Sequence, residues 1–221
     1  MKRYFRQQEE LGAREWYLPD EGAKAPGAMA PGAKAPSSAL TLAELYKGVK
    51  HCQRCHLWKT RTNLVFGTGN READLVFIGE APGRDEDLQG EPFVGRAGQL
   101  LTRIIEAIGF RREDVFIGNI LKCRPPENRD PLPEEIEQCL PILEVQLQIL
   151  KPKVICTLGR IAAQTLLRTS APLSRLRGRV HDLRGARAVV TYHPAALLRN
   201  PNLKRPTWDD IQLLKREYDR L

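Results

Sequence analysis

The sequence predicts an α/β fold in which a parallel sheet carries helices on both faces, and three observations predict it. Four short apolar runs, LVFIGE (75–80), VFIGNI (115–120), VICTLG (154–159) and AVVTYH (188–193), have the length and the branched or aromatic content of buried strands. Stretches of helical periodicity separate them, and strands alternating with helices build parallel sheets covered on both sides. At 221 residues the chain can bury one such core and hardly two.

In chain order, residues 1–21 scatter Tyr4, Phe5, Trp16, Tyr17 and Leu18 among charges, a composition that suits a short docking helix or an ordered end. Residues 22–36 repeat GAKAP, GAMAP, GAKAP; small residues and proline at this period neither assemble a core nor hold a helix, so the segment is a linker. Residues 1–40 are read as an extension and 41–221 as the folded domain. The domain opens at Thr41, where Thr41 and Glu44 give the T-x-x-E pattern of a capping box. After the first strand, Leu100, Leu101, Ile104, Ile105 and Ile108 keep the spacing of one apolar helix face. A helix from about Pro133 to Leu150 follows the second strand; proline suits its first turn, and Pro141 predicts a kink. The third strand, a helix over 161–167, the fourth strand and a final helix from Trp208 complete the alternation. In open parallel sheets ligands sit at the carboxyl ends of the strands. Those ends carry Glu80 with Ala81-Pro82-Gly83, Asn119, Gly159 and His193.

Composition narrows the class. The longest apolar runs are too short to span a bilayer, and the charged, aromatic N-terminus lacks the apolar core of a secretory signal. Five cysteines, an odd number, suit a reducing cytosol better than a secreted disulfide scaffold, so a cytoplasmic protein without a membrane partner is expected. The net charge of +8 favours a polyanionic partner. Arg175, Arg177, Arg179, Arg184 and Arg187 crowd one stretch, and Arg199, Lys204 and Arg205 follow His193-Pro194.

Cys52 and Cys55 form C-x2-C, Cys123 begins C-R-P-P, and Cys139 falls on the helix after it. Four thiolates satisfy tetrahedral zinc or an iron–sulfur cubane, and spacing does not choose between them. His51 and His56 flank the first pair but rank behind the cysteines as ligands. Cys156, inside VICTLG, is a core residue.

GEAPGRDED (79–87), EPFVGRAGQLL (91–101), GNILKCRPPENR (118–129) and YHPAALLRNP (192–201), taken in this order with the four cysteines, resemble the family 4 uracil-DNA glycosylases. The resemblance runs from about Cys52 to the final helix. It implies a three-layer α/β/α fold around a central four-stranded parallel sheet, and a [4Fe–4S] cluster on Cys52, Cys55, Cys123 and Cys139. It also implies monofunctional excision of uracil from single- and double-stranded DNA, leaving an abasic site in base excision repair.

Breaking an N-glycosidic bond leaves positive charge on the sugar and negative charge on the base, so the site must read the base, stabilise an anion and hold a water. Asn119 can donate to uracil O4 and accept from N3–H, a pattern cytosine reverses. Phe93 offers a ring for stacking. His193 can donate from a neutral imidazole to uracil O2. Glu80 is the candidate to orient or activate water. The Ala81-Pro82-Gly83 turn can bring main-chain N–H groups near O2, and Glu86 matches a family carboxylate that fills the space beside Gly83 against the thymine methyl group. Leu197 is the expected wedge into the vacated base stack, with Leu198 behind it, and Arg199 the expected phosphate contact. Gly95, Arg96 and Gly98 resemble a helix start that admits a phosphate. A related branch traps uracil on a histidine in a basic insert, and CRPPENRDPLPEE runs into its helix without one, so turnover without an adduct is expected. A monomer at the nucleoid is expected, with the extension serving a replication or repair protein. A non-catalytic iron–sulfur DNA-binding module is the rival reading, against which intact Glu80, Asn119 and His193 argue.

Overall fold

All four apolar runs become neighbouring strands in the computed structural model, which describes residues 40–221. The sheet contains β1 (Thr68–Gly69), β2 (Leu75–Gly79), β3 (Phe116–Asn119), β4 (Val154–Leu158), β5 (Val180–Leu183) and β6 (Ala186–Thr191), in the order β1-β3-β2-β4-β6-β5. The inner four run parallel, and β1 and β5 pair antiparallel on the two edges. The expected four-stranded parallel sheet is thus the centre of a six-stranded one. Sequence pattern misses the edges for physical reasons. β1 is two residues long, and β5 is VHDL with three of its four residues at least partly exposed, so neither leaves an apolar run. β5 and β6 turn through Arg184 and Gly185, both at positive φ, as a tight hairpin requires.

Alternation along the strands divides the core into two layers. Val76 and Ile78 of β2 pack on one face with Leu42 and Val49 of α1 (Leu42–Val49) and with Ile142, Leu143 and Leu150 of a long helix, Pro133–Leu150. Leu75 and Phe77 point to the other face, where Leu101 and Ile105 of the helix Arg96–Ala107 meet Ile211 and Leu214 of the last helix, Lys204–Tyr218. In chain order the remaining helices are α2 (Arg84–Gln89), α5 (Arg160–Leu166), α6 (Leu173–Leu176) and α7 (Pro194–Arg199), which makes those just named α3 (Arg96–Ala107), α4 (Pro133–Leu150) and α8 (Lys204–Tyr218).

The Thr41 side chain accepts from Glu44 N–H while Glu44 reaches back to Thr41, closing the capping box of α1. α4 continues through Pro141 as one helix, with the proline inside it. α8 starts four residues earlier than Trp208, because Pro206 falls in its first turn, where no N–H is needed. Thr41–Leu221 form one unit; the linker and the docking role assigned to the extension fall on residues 1–39, outside the described residues. Among the described residues no helix is long and apolar enough to cross a membrane.

The arginine-rich stretch serves the fold more than a ligand. Arg177 lies over the Tyr192 ring at 4.2 Å and pairs with Asp210 at 2.6 Å, its side chain only 13% exposed. Arg184 pairs with Glu144, and Arg187 with Glu217. Asp210, on α8, also accepts from Thr191 Oγ1 at 2.7 Å and Gly178 N–H at 3.1 Å, pinning α8 to the end of β6 two residues before His193. Asp210→Ala leaves the Arg177 guanidinium buried without its counter-charge and is expected to lower the free energy of unfolding in urea by about 3–5 kcal/mol.

Candidate active site and cysteine centre

Glu80 directly follows β2, Asn119 ends β3 and His193 lies two residues past β6, so three carboxyl ends of the sheet converge. All three line one cleft of about 370 Å³, together with Ala81, Gly83, Glu86, Phe93 and Arg199. Such a volume lies at the small end of ordinary ligand sites.

Asn119 is 2% exposed, and its Oδ1 is buried with no hydrogen-bond partner among the described residues. Glycine is needed opposite it: a Cβ on Gly79 would stand 2.5 Å from Asn119 Oδ1 and 2.6 Å from Phe93 Cζ. Phe93 sits at φ 55°, a left-handed conformation that bulky residues avoid. Gly98 permits it, since a Cβ there would fall 1.8 Å from the Phe93 carbonyl oxygen. The missing side chain of Gly98 thus makes room for the protein's own main chain. Arg96 is exposed on the first turn of α3 and does not line the cleft.

His193 caps α7, and its Nδ1 accepts from Ala195 N–H at 3.2 Å. Burial, aided by the charge of Arg199, lowers its pKa to about 4. At neutral pH the ring is therefore uncharged, and with Nδ1 accepting, its proton sits on Nε2. The Phe93 and His193 rings lie 5.4 Å apart at 31°.

Glu80 is pushed the other way. Burial first, then the negative charge of Asp130, raises its carboxyl to about 7, with Arg160 opposing. Asp130 lines the cleft and pairs with Arg160 at 2.9 Å across its rim. Sequence reasoning missed both residues, although Asp130 stands in the proline-rich ENRDP segment just beyond Cys123, a signal that was visible. Arg129 and Asn128 of the same segment also line the cleft.

Glu86 accepts from the N–H groups of Gly83 (3.1 Å), Val94 (3.0 Å) and Gly95 (3.1 Å), joining the loop after β2 to the Phe93 loop. A Cβ on Gly83 would stand 2.7 Å from its Oε2, so this carboxylate does fill the space beside Gly83. The Gly83 N–H is consumed in that bond, which removes it as a donor to a bound base. Leu197 is 2% exposed and faces inward, whereas Leu198 is 39% exposed. Leu197, the wedge expected from the sequence, is thus buried and its neighbour exposed, because on the short helix α7 adjacent residues point about 100° apart.

Cys52, Cys55, Cys123 and Cys139 line one small cavity with Leu64, Ile142 and Lys122, and none forms a disulfide. Among the described residues no three His, Cys, Asp or Glu side chains close around a single ion. Arg61 Nη1 lies 3.1 Å from Cys123 Sγ, and Lys122 N–H 3.2 Å from Cys139 Sγ, so donors already point at two sulfurs. Burial raises the Cys55 and Cys123 thiols and pushes Cys139 up to about 12, so ionising them takes a nearby positive centre. His56 is bound to Glu135 at 2.9 Å.

A larger groove of about 540 Å³ lies at the opposite, amino-terminal edge of β4 and β6, but it gathers none of these groups. Glu80, Asn119 and His193 are gathered in the smaller cleft.

The profile described as the uracil DNA glycosylase superfamily matches residues 66–212. The chain is 47% identical over 180 residues to the type-4 uracil-DNA glycosylase of Archaeoglobus fulgidus, covering 78% of this chain and 90% of that one. It is 46% identical over 176 residues to the enzyme of the same description from Saccharolobus solfataricus, covering 76% and 82%. Against that of Thermotoga maritima it is 45% identical over 171 residues, covering 76% and 89%. The chain belongs to the type-4 uracil-DNA glycosylases.

Proposed function

We propose that the cleft takes one flipped uracil and hydrolyses its bond to deoxyribose, with Asn119 reading the base, His193 stabilising the departing anion and Glu80 receiving a proton from the attacking water. The chain is a uracil-DNA glycosylase, a hydrolase of N-glycosyl bonds that acts in DNA repair. The unpartnered Asn119 oxygen carries the assignment of roles: a buried acceptor with no donor of its own is matched by the N3–H of uracil, while the amide N–H meets O4. Cytosine places an acceptor at N3 and a donor at N4, opposing both.

In the reaction water attacks C1′, the C1′–N1 bond breaks with its electron pair remaining on N1, and the charge spreads to O2, where the His193 Nε2–H donates. A neutral ring stabilises this anion without protonating it. The water's proton passes to the Glu80 carboxylate, whose negative charge also faces the cationic sugar. Among the described residues no lysine lines the cleft, which favours hydrolysis over lyase chemistry and leaves an abasic site. Glu86, beside Gly83, opposes the thymine methyl group. Leu198 enters the vacated stack of single- or double-stranded DNA, and Arg199 and Arg96 meet phosphates. The chain acts as a monomer, without a covalent adduct, in the cytoplasm at the nucleoid, and its extension engages a repair or replication protein.

The four cysteines hold a [4Fe–4S] cluster. Thiols that converge on one cavity without closing on a single ion suit a polynuclear centre, and donors aimed at sulfur suit thiolates. Its chemistry here is cross-linking of the chain after α1, the segment after β3, and α4.

Alkali-dependent scission of a uracil-containing oligonucleotide tests the activity; binding without base release would favour the non-catalytic reading. With the Glu80 carboxyl near 7, the base is ionised only above that pH, so the single-turnover rate should rise through about pH 7 and then level. Glu80→Gln should erase that limb and slow release about 10²–10⁴-fold. Asn119→Ala and His193→Ala should each slow release about a hundredfold or more, with binding to undamaged DNA largely intact by fluorescence anisotropy. Gly79→Ala, which displaces Asn119 and Phe93 together, should cost at least about a hundredfold in rate without changing the far-ultraviolet circular dichroism.

A further inference from the structure

We propose that Lys122 is a positioning residue that ties the cysteine centre to the base-reading wall of the cleft by holding Asn119 through its main chain; this rests on the iron–sulfur reading of that centre. Lys122 is fully buried, at 0% exposure. Its Nζ donates to the Asn119 carbonyl at 2.9 Å, and its own N–H donates to Cys139 Sγ at 3.2 Å. The Lys122 carbonyl accepts from Val65 N–H at 2.8 Å, and the side chain borders the cysteine cavity. One residue thus contacts both the base reader and a cluster ligand.

The segment between them has little freedom. Ile120 and Leu121 donate to the carbonyls of Gly79 and Glu80, each at 3.0 Å, which straps the chain after β3 to the end of β2. Cys123 closes the segment four residues after Asn119. A buried ammonium needs a counter-charge, and the cavity that Lys122 borders is lined by Cys52, Cys55, Cys123 and Cys139. Anionic sulfur around a cluster supplies that charge. The ammonium then stays between the centre and the Asn119 carbonyl, fixing the strand end from which the side-chain amide enters the cleft. A lysine that merely filled space would affect stability, whereas this one affects which base is preferred.

The test uses the iron-loaded protein and a cycle of Lys122→Met, Asn119→Ala and the double variant. Three quantities are read: uracil release in single turnover, affinity for DNA carrying a non-hydrolysable uracil nucleotide relative to the same DNA with cytosine, and the reduction potential of the centre. Lys122→Met is expected to keep its iron and its affinity for undamaged DNA but to lose at least about tenfold in uracil preference. Its potential should become more negative, since a cation beside the cluster is gone. In the Asn119→Ala background the same change should cost less than about twofold, because both act through one contact. Lys122→Arg, which keeps charge and donor, should restore the preference to within about threefold of the parent. Should the Met variant not fold, Lys122→Gln, one bond too short to reach the Asn119 carbonyl, runs the same cycle. An unchanged preference, or losses that multiply in the double variant, would overturn the coupling. Absence of iron in the parent protein would instead overturn the cluster reading on which it stands.

Discussion

A side-chain oxygen buried without a donor is the constraint around which the site is built. Leaving such an atom unmatched costs about 1–3 kcal/mol, so it persists only where its surroundings allow no escape. Here they allow none. Gly79 removes the side chain that would occupy the space, Phe93 closes one wall from a left-handed conformation, and Gly98 makes that conformation possible. Lys122 fixes the main chain behind the amide. Each arrangement is unfavourable or restrictive taken alone, and together they define a slot whose missing partner is a ring N–H beside a carbonyl.

The electrostatics of the cleft divide labour in the same way. Burial acts on both titratable groups and pushes them in opposite directions, because it disfavours the charged form of each. The imidazole is held neutral, a form that can donate a hydrogen bond while carrying no charge of its own. The carboxyl is brought near neutrality, where it can both accept a proton and return it. Asp130 and Arg160 set opposite signs at the rim, so the carboxyl's poise depends on residues outside the sheet.

Much of this was legible before any coordinates. The four inner strands, the Thr41 cap and the span of α4 follow from apolar runs, a capping pattern and a proline at a helix start, all signals local in sequence. The convergence of Glu80, Asn119 and His193 follows from the rule that parallel strands present their carboxyl ends together. What escaped depends on the third dimension. The edge strands exist because a neighbour offers hydrogen bonds, not because their residues are apolar. Leu197 and Leu198 are chemically identical, and only the rotation of α7 decides which is exposed. In the sequence Lys122 only precedes Cys123; its reach back to Asn119 appears once the chain after β3 is strapped to β2.

Net charge illustrates the same limit. A charge of +8 is real, yet Arg177, Arg184 and Arg187 are engaged with Asp210, Glu144 and Glu217. Cations already paired within the fold release few counterions when DNA arrives, so they add little salt-sensitive affinity. Near the cleft, Arg199 on α7, Arg96 at the start of α3 and Arg84 at the start of α2 are exposed. Attraction to the DNA backbone is the same for every nucleotide and carries no selectivity among bases. On the proposed roles discrimination comes from the cleft itself: cytosine leaves the buried amide of Asn119 with broken hydrogen bonds, and Glu86 beside Gly83 stands against the methyl group of thymine, whose hydrogen-bonding edge is otherwise that of uracil.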